Sequence, residues 1–141
     1  MIATGARRVI IGSAGAILAG WLLIIVLAVM VDSSLQYFGV LPVTGHQKFS
    51  DWQSGLALTY HLAFVAAGGY VAARLAPVRP IGHAVALGII GLLMSIAGQI
   101  SIVRGDLAPH WYGWALIILA LPTTGFGGWL HARRSKLSRR Q

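Results

Sequence analysis

The chain has 141 residues, 57% of them hydrophobic and 10% charged, with a mean hydropathy of +0.75. A water-soluble domain carries roughly 25% charged residues, so an ordinary soluble fold is excluded and the length leaves room for one domain, residues 1–141. The formal net charge of +8 does not point to nucleic acid, since most Lys and Arg flank apolar runs instead of gathering on one polar face. With no cysteine, disulfides, thiolate zinc sites and thiol chemistry are also excluded.

The first apolar run covers about residues 9–31. At about 1.5 Å per residue it measures about 35 Å, enough for a hydrocarbon core of roughly 30 Å. Arg7 and Arg8 ahead of it resemble the start of a signal peptide, but a cleavable h-region is only about 7–15 residues long. Ala28-Val29-Met30-Val31-Asp32 is also a poor cleavage site, so the run is expected to be a retained helix. Residues 32–52 follow as the longest connection, broken by Gly39, Pro42 and Gly45. Leu35, Tyr37, Phe38, Val40 and Leu41 would hold it against the headgroups or fold it over the bundle mouth, and long loops often carry function.

The second span is expected over about 53–75, entered through a capping box of Ser50 and Gln53. Pro77 stops it and Pro80 starts the third span, about 81–103, so the two are antiparallel neighbours. Residues 104–110 form a short polar loop, and the fourth span covers about 111–130. A basic tail, 131–141, follows it. The fold class is therefore an all-α membrane protein, a four-transmembrane-helix antiparallel bundle without an internal repeat.

Orientation follows from the basic flanks. One side holds Arg7, Arg8, Arg74, Arg79, Arg133, Arg134, Lys136, Arg139 and Arg140, and the other only Lys48 and Arg104. That bias places both termini and the 76–80 turn in the cytoplasm. Asp32, Asp51 and Asp106 then face outward with Trp52, Trp111, Tyr112 and Trp114, while Trp129 and Tyr70 serve the inner face. Arg74 is expected to reach the inner headgroups with its stem in lipid.

Close contact of small residues, not hydrophobicity, draws helices together in lipid. Ala84, Gly88, Gly91, Ser95 and Gly98 recur with a period of 3.5 and mark the third span as a packing spine. Gly12, Ala16 and Gly20 give the first span a face of the same kind.

Intramembrane polar residues are costly and often functional. His61 is the foremost, on the outer half of its span, with Gln99 at a depth that suits a hydrogen bond to it. It is a candidate cofactor ligand or proton-relay group, set against a neutral histidine bonded between helices. Haem bound by this chain alone would need a second imidazole at the same depth, and His83, His110 and His131 lie elsewhere. Pro122 frees a carbonyl near mid-membrane, which Thr123 and Thr124 are expected to satisfy in a kinked helix. Asp32, His46, Asp51, Asp106 and His110 have the residue types of a divalent-metal site, but no two stand at i, i+3 or i+4 of one predicted helix. No catalytic motif is present and no cofactor is specified.

The stretch Gly68-Gly69-Tyr70-Val71-Ala72-Ala73-Arg74-Leu75-Ala76-Pro77 with Arg79-Pro80 resembles a family of small, uncharacterised four-span proteins of bacterial inner membranes. So do Ser95-Ile96-Ala97-Gly98, Pro109-His110-Trp111-Tyr112 and Ala120-Leu121-Pro122. The resemblance covers roughly residues 55–130 and implies a multi-pass bacterial inner-membrane protein, with no activity attached. The expected partners are the bilayer and either further copies or a larger membrane complex, for which the chain would be an accessory or structural subunit. A small transporter or channel-like protein is the alternative, with His61, Gln99 and Pro122 along its path. A cofactor-binding redox or pigment-complex subunit using His61 is the third.

Overall fold

A computed structural model of the chain describes residues 2–43 and 48–138. Four α-helices make it up: α1 (Ile2–Tyr37), α2 (Asp51–Leu75), α3 (Pro80–Gly105) and α4 (His110–Ser138), with no strand among the described residues. Each contains a segment long and apolar enough to cross a membrane, namely Arg7–Tyr37, Asp51–Leu75, Pro80–Gly105 and His110–Leu137. Within the most apolar window of each segment only 11–28% of residues are buried. Ile10, Leu22, Val29, Leu93 and Ile118 all lie on the outside. A helix clothed in apolar side chains on its outer face suits hydrocarbon as solvent, because its backbone bonds are satisfied internally.

The helix ends differ from the sequence expectation, each for a local reason. Helix α1 continues six residues past 31, so Asp32, Ser33 and Ser34 are helical and not part of a loop. Ser34 turns its hydroxyl back on the Met30 carbonyl at 2.7 Å, and nothing stops the helix before Gly39. There Gly39 takes φ +71°, its N–H donates to the Gln36 carbonyl (3.0 Å), and the Val40 N–H donates to that of Leu35 (2.8 Å). These are the two bonds of a Schellman stop.

Helix α2 begins at Asp51, where the Ser50 N–H donates to Gln53 Oε1 at 3.0 Å. Gln53 Nε2 in turn donates to the Val40 carbonyl at 2.8 Å, pinning the α1–α2 connection. Pro80 opens α3 directly after Arg79, a left-handed residue at φ +47°. Arg104, expected in a loop, is still helical, and α3 ends on left-handed Asp106. Helix α4 overruns the expected boundary at 130, and the basic segment is helical through Ser138. Arg133 lies 5.3 Å from the centre of the Trp129 ring, and Arg134 lies 5.9 Å from that of Tyr70. Cation–π attraction thus holds part of the basic tail against the bundle.

Helix α2 is central, packing against all three others; α3 and α4 also pack on each other. Helix α1 leans on α2, touches α3 lightly and makes no close contact with α4 among the described residues. The tight layer near the α2–α3 turn is built on glycine. A methyl group added at Gly20 would lie 2.6 Å from the Gly68 carbonyl and 2.9 Å from Leu87; one at Gly69 would lie 2.9 Å from Thr124 Cα. One at Gly127 would lie 2.8 Å from the Tyr70 nitrogen, and one at Gly128 2.6 Å from Ala84 Cβ. Gly12 faces Pro77 in the same layer, and Ala16 is buried. At the opposite end the other two connections meet: the Phe49 N–H donates to the Leu107 carbonyl at 2.9 Å, and Lys48 pairs with Asp106 at 2.5 Å.

The packing spine expected on α3 is divided. Ala84 and Gly88 are buried in the glycine layer, with Gly88 against Leu121 and the Thr124 hydroxyl. Gly91 and Gly98 have open space where a side chain would be, and Ser95 lines a cavity instead of a helix contact.

Candidate functional site

Because α1 continues through Asp32, that carboxylate reaches the side of α2. Asp32 Oδ1 accepts a short hydrogen bond from the Tyr60 hydroxyl, and Oδ2 lies 3.8 Å from His61 Nε2. His61 Nδ1 stands 2.8 Å from the Ala57 carbonyl one turn earlier. A carbonyl can only accept, so this bond puts a proton on Nδ1. The remaining 3.8 Å gap is longer than a direct N–H···O bond, and the Asp32–His61 pair is therefore adjacent but not closed. Both side chains are partly exposed, at 34% for Asp32 and 22% for His61. With Phe49, Leu107 and Tyr112 they border a hollow of about 170 Å³ near the two joined loops.

A larger cavity of about 360 Å³ lies beside it within the bundle. Trp21 and Ile24 contribute from α1, Leu62 and Val65 from α2, Met94 and Ile102 from α3, and Leu116 and Ala120 from α4. Four polar residues join this apolar wall: His61, Ser95, Gln99 and Thr124. Along α3 the lining runs from Leu87 to Ile102, about 22 Å at the α-helical rise of about 1.5 Å per residue. Exposed Met94 and Gly98 stand in it, so the cavity is open along the α3 side. Its lower end is the glycine layer, reached at Leu87 and Thr124. His61 and Ile102 border both hollows and form the seam between them.

The sequence expectation of a His61–Gln99 hydrogen bond is not met. Gln99 Nε2 instead donates to the His110 carbonyl at 3.3 Å. Its buried Oε1 has no hydrogen-bond partner among the described residues. That oxygen rests against Gly113, where any side chain would occupy its place. His61 and Gln99 are thus two polar points of one cavity wall. Thr124 also differs from expectation: its hydroxyl donates to the carbonyls of Ala120 (2.9 Å) and Leu121 (3.1 Å). The carbonyl freed by Pro122 belongs to Ile118, four residues back, and Thr124 does not reach it. Pro122 lies inside α4, with Thr123 half-buried beside it.

The metal candidates are dispersed. Asp51 accepts from Trp111 Nε1 at 2.8 Å, Asp106 pairs with Lys48, and Asp32 faces Tyr60 and His61. His110 is exposed at the start of α4, and His46 lies outside the described residues. No group of three potential metal ligands forms among the described residues.

No protein-family description, characterised protein or solved structure matches the chain. Function therefore has to be argued from this geometry.

Sequence reasoning missed Tyr60, Tyr112 and the role of Asp32 beside His61. The placement follows only from the α1–α2 contacts, which the sequence does not give. With Gly20 on Gly68, a chain of opposite direction sets position 32 opposite position 56, about one and a half turns from His61, provided α1 is helical that far.

Proposed function

We propose that the chain is a multi-pass protein of a bacterial inner membrane, and that it binds an apolar small molecule in the cleft between α1 and α3 as a small transporter. Alternating helix direction is supported by the contact pairs, Gly12 with Pro77 at one end of α1 and Asp32 with Tyr60 at the other. Ile81 near Gly128, against Gln99 near Gly113, gives the same sense for α3 and α4. The basic flanks support cytoplasmic termini, and the resemblance described above supports the bacterial setting.

The observation that carries the functional reading is the one-sided cavity. It is open along α3, contains four polar residues among apolar ones, and is closed below by backbone-to-backbone glycine packing. A preformed apolar cavity with a few convergent polar groups is the usual form of a ligand site. In this orientation the cleft faces the outer leaflet and the glycine layer is its cytoplasmic seal.

The test is photo-crosslinking of the full chain in lipid nanodiscs with a neutral alkyl diazirine. Adducts are expected on Trp21, Leu62, Met94 and Leu116, and Gly98→Leu, which fills the open side, should remove them. Adducts spread over Ile10, Leu22 and Ile118 and unchanged by Gly98→Leu would overturn the reading.

A second reading is favoured by the uncovered Gly91, Ser95 and Gly98, which could receive a transmembrane helix of another copy or of a larger complex. Mild-detergent purification with mass spectrometry separates the two. A visible spectrum of the same sample tests the pigment-subunit alternative.

A further inference from the structure

Asp32 differs from the other two carboxylates. Asp106 has Lys48, and Asp51 sits exposed at a helix start with Trp111. Asp32 is two-thirds covered, yet no Lys or Arg lies within ion-pair distance of it among the described residues. Its neighbours are a hydroxyl and an imidazole. A partly buried anion without a cation is costly, and beside it stands a second acceptor, His61 Nε2, whose ring proton is engaged on Nδ1 by Ala57. In the neutral ring that nitrogen accepts, and two acceptors 3.8 Å apart can be closed by one nitrogen about 2.9 Å from each.

We infer that the head-group end of the cleft recognises an N–H-bearing ammonium, seated between Asp32 and His61, with its apolar chain running down the cavity beside α3. The inference rests on the cleft reading above and names its ligand class. The aromatic side chains of Phe49, Tyr60 and Tyr112 line the head hollow and supply π faces for a cation. His61 and Ile102 border both hollows, and the inferred ligand passes between them. Each polar contact calls for N–H donors, so a primary ammonium fits and a quaternary one, with no N–H, does not. The same chemistry occurs in a free long-chain amine and in the head of an aminophospholipid.

The experiment is displacement of the neutral alkyl diazirine from the full chain in phosphatidylcholine nanodiscs by dodecylamine, dodecyltrimethylammonium and dodecanol. Charge-assisted hydrogen bonds contribute enough to separate these heads by about tenfold to a hundredfold. Dodecylamine should displace the probe at correspondingly lower concentration than the other two, and Asp32→Asn should erase the difference. Equal potency of the three heads on the wild type would overturn the inference while leaving the cleft reading intact; this arm needs no variant to fold. Retained amine preference in Asp32→Asn would overturn it as well. Absence of cavity labelling in the wild type would instead overturn the cleft reading, and with it the inference. Where the preference holds, replacing phosphatidylcholine with phosphatidylethanolamine distinguishes the sources. A rise in the amine concentration required identifies the lipid head, and no change identifies the free amine.

Discussion

Gly69→Ala should weaken the bundle, while the same change at Gly91 should not. At Gly69 the added methyl would lie 2.9 Å from Thr124 Cα, against 3.4–4 Å for ordinary contact. Both sides of that contact are backbone, so no rotamer change can relieve it. Helices α2 and α4 would have to separate by about 0.5–1 Å, and overpacking of this kind costs about 1–3 kcal/mol. Separation would also disturb neighbouring contacts of the layer, Gly127 against Tyr70 and Gly88 against Leu121. At Gly91 the methyl would enter open space. Replacing a helical glycine by alanine there should be neutral or stabilising by up to about 1 kcal/mol. Reversible unfolding in mixed SDS and nonionic micelles, followed by far-UV circular dichroism, measures both. A Gly69→Ala variant as stable as wild type, or a Gly91→Ala variant destabilised by more than Gly69→Ala, would refute the assignment of the sealed layer and the open cleft.

Two further outcomes are expected. Gly39→Ala should cost about 1 kcal/mol, because the Schellman stop holds that residue at φ +71° where a Cβ is strained; the same unfolding assay reads it, and no loss would count against the observed end of α1. The chain has no native cysteine, so single Val43→Cys and Val78→Cys variants can be labelled without background. An impermeant maleimide added to whole cells should modify position 43 and spare position 78, and the reverse pattern would invert the proposed orientation.

The four helices are legible in the sequence because each apolar run is long and bounded by proline, glycine or charge. Their ends are less so. Asp32-Ser33-Ser34 looks like the start of a loop by composition, yet serine satisfies itself on the preceding turn and the true stop is Gly39. Arg133 and Arg134 read as part of a basic tail, but good helix-forming propensity and the rings of Trp129 and Tyr70 keep them helical. The period-3.5 row on α3 identifies a face correctly as a face. It does not say what lies opposite, and only Ala84 and Gly88 meet another helix while Gly91 and Gly98 look into space. His61 stands out from sequence as a costly intramembrane side chain. Its surroundings do not, because they depend on how far α1 extends and on which side of α2 it packs.

Helix α1 is held chiefly by α2 and forms one wall of the cavity, with no close approach to α4 among the described residues. Its apolar run, residues 9–31, is about 35 Å long at about 1.5 Å per residue, against a hydrocarbon thickness of roughly 30 Å. A helix too long for its bilayer leans, and the lean changes with membrane thickness. The glycine contacts at Gly12 and Gly20 hold its first half, so a change in lean would move Trp21 and Ile24 only slightly and the far end at Asp32 much more. The width of the cleft mouth is therefore coupled to the lipid around it, and a thinner or thicker membrane acts on the site through the angle of a single lever.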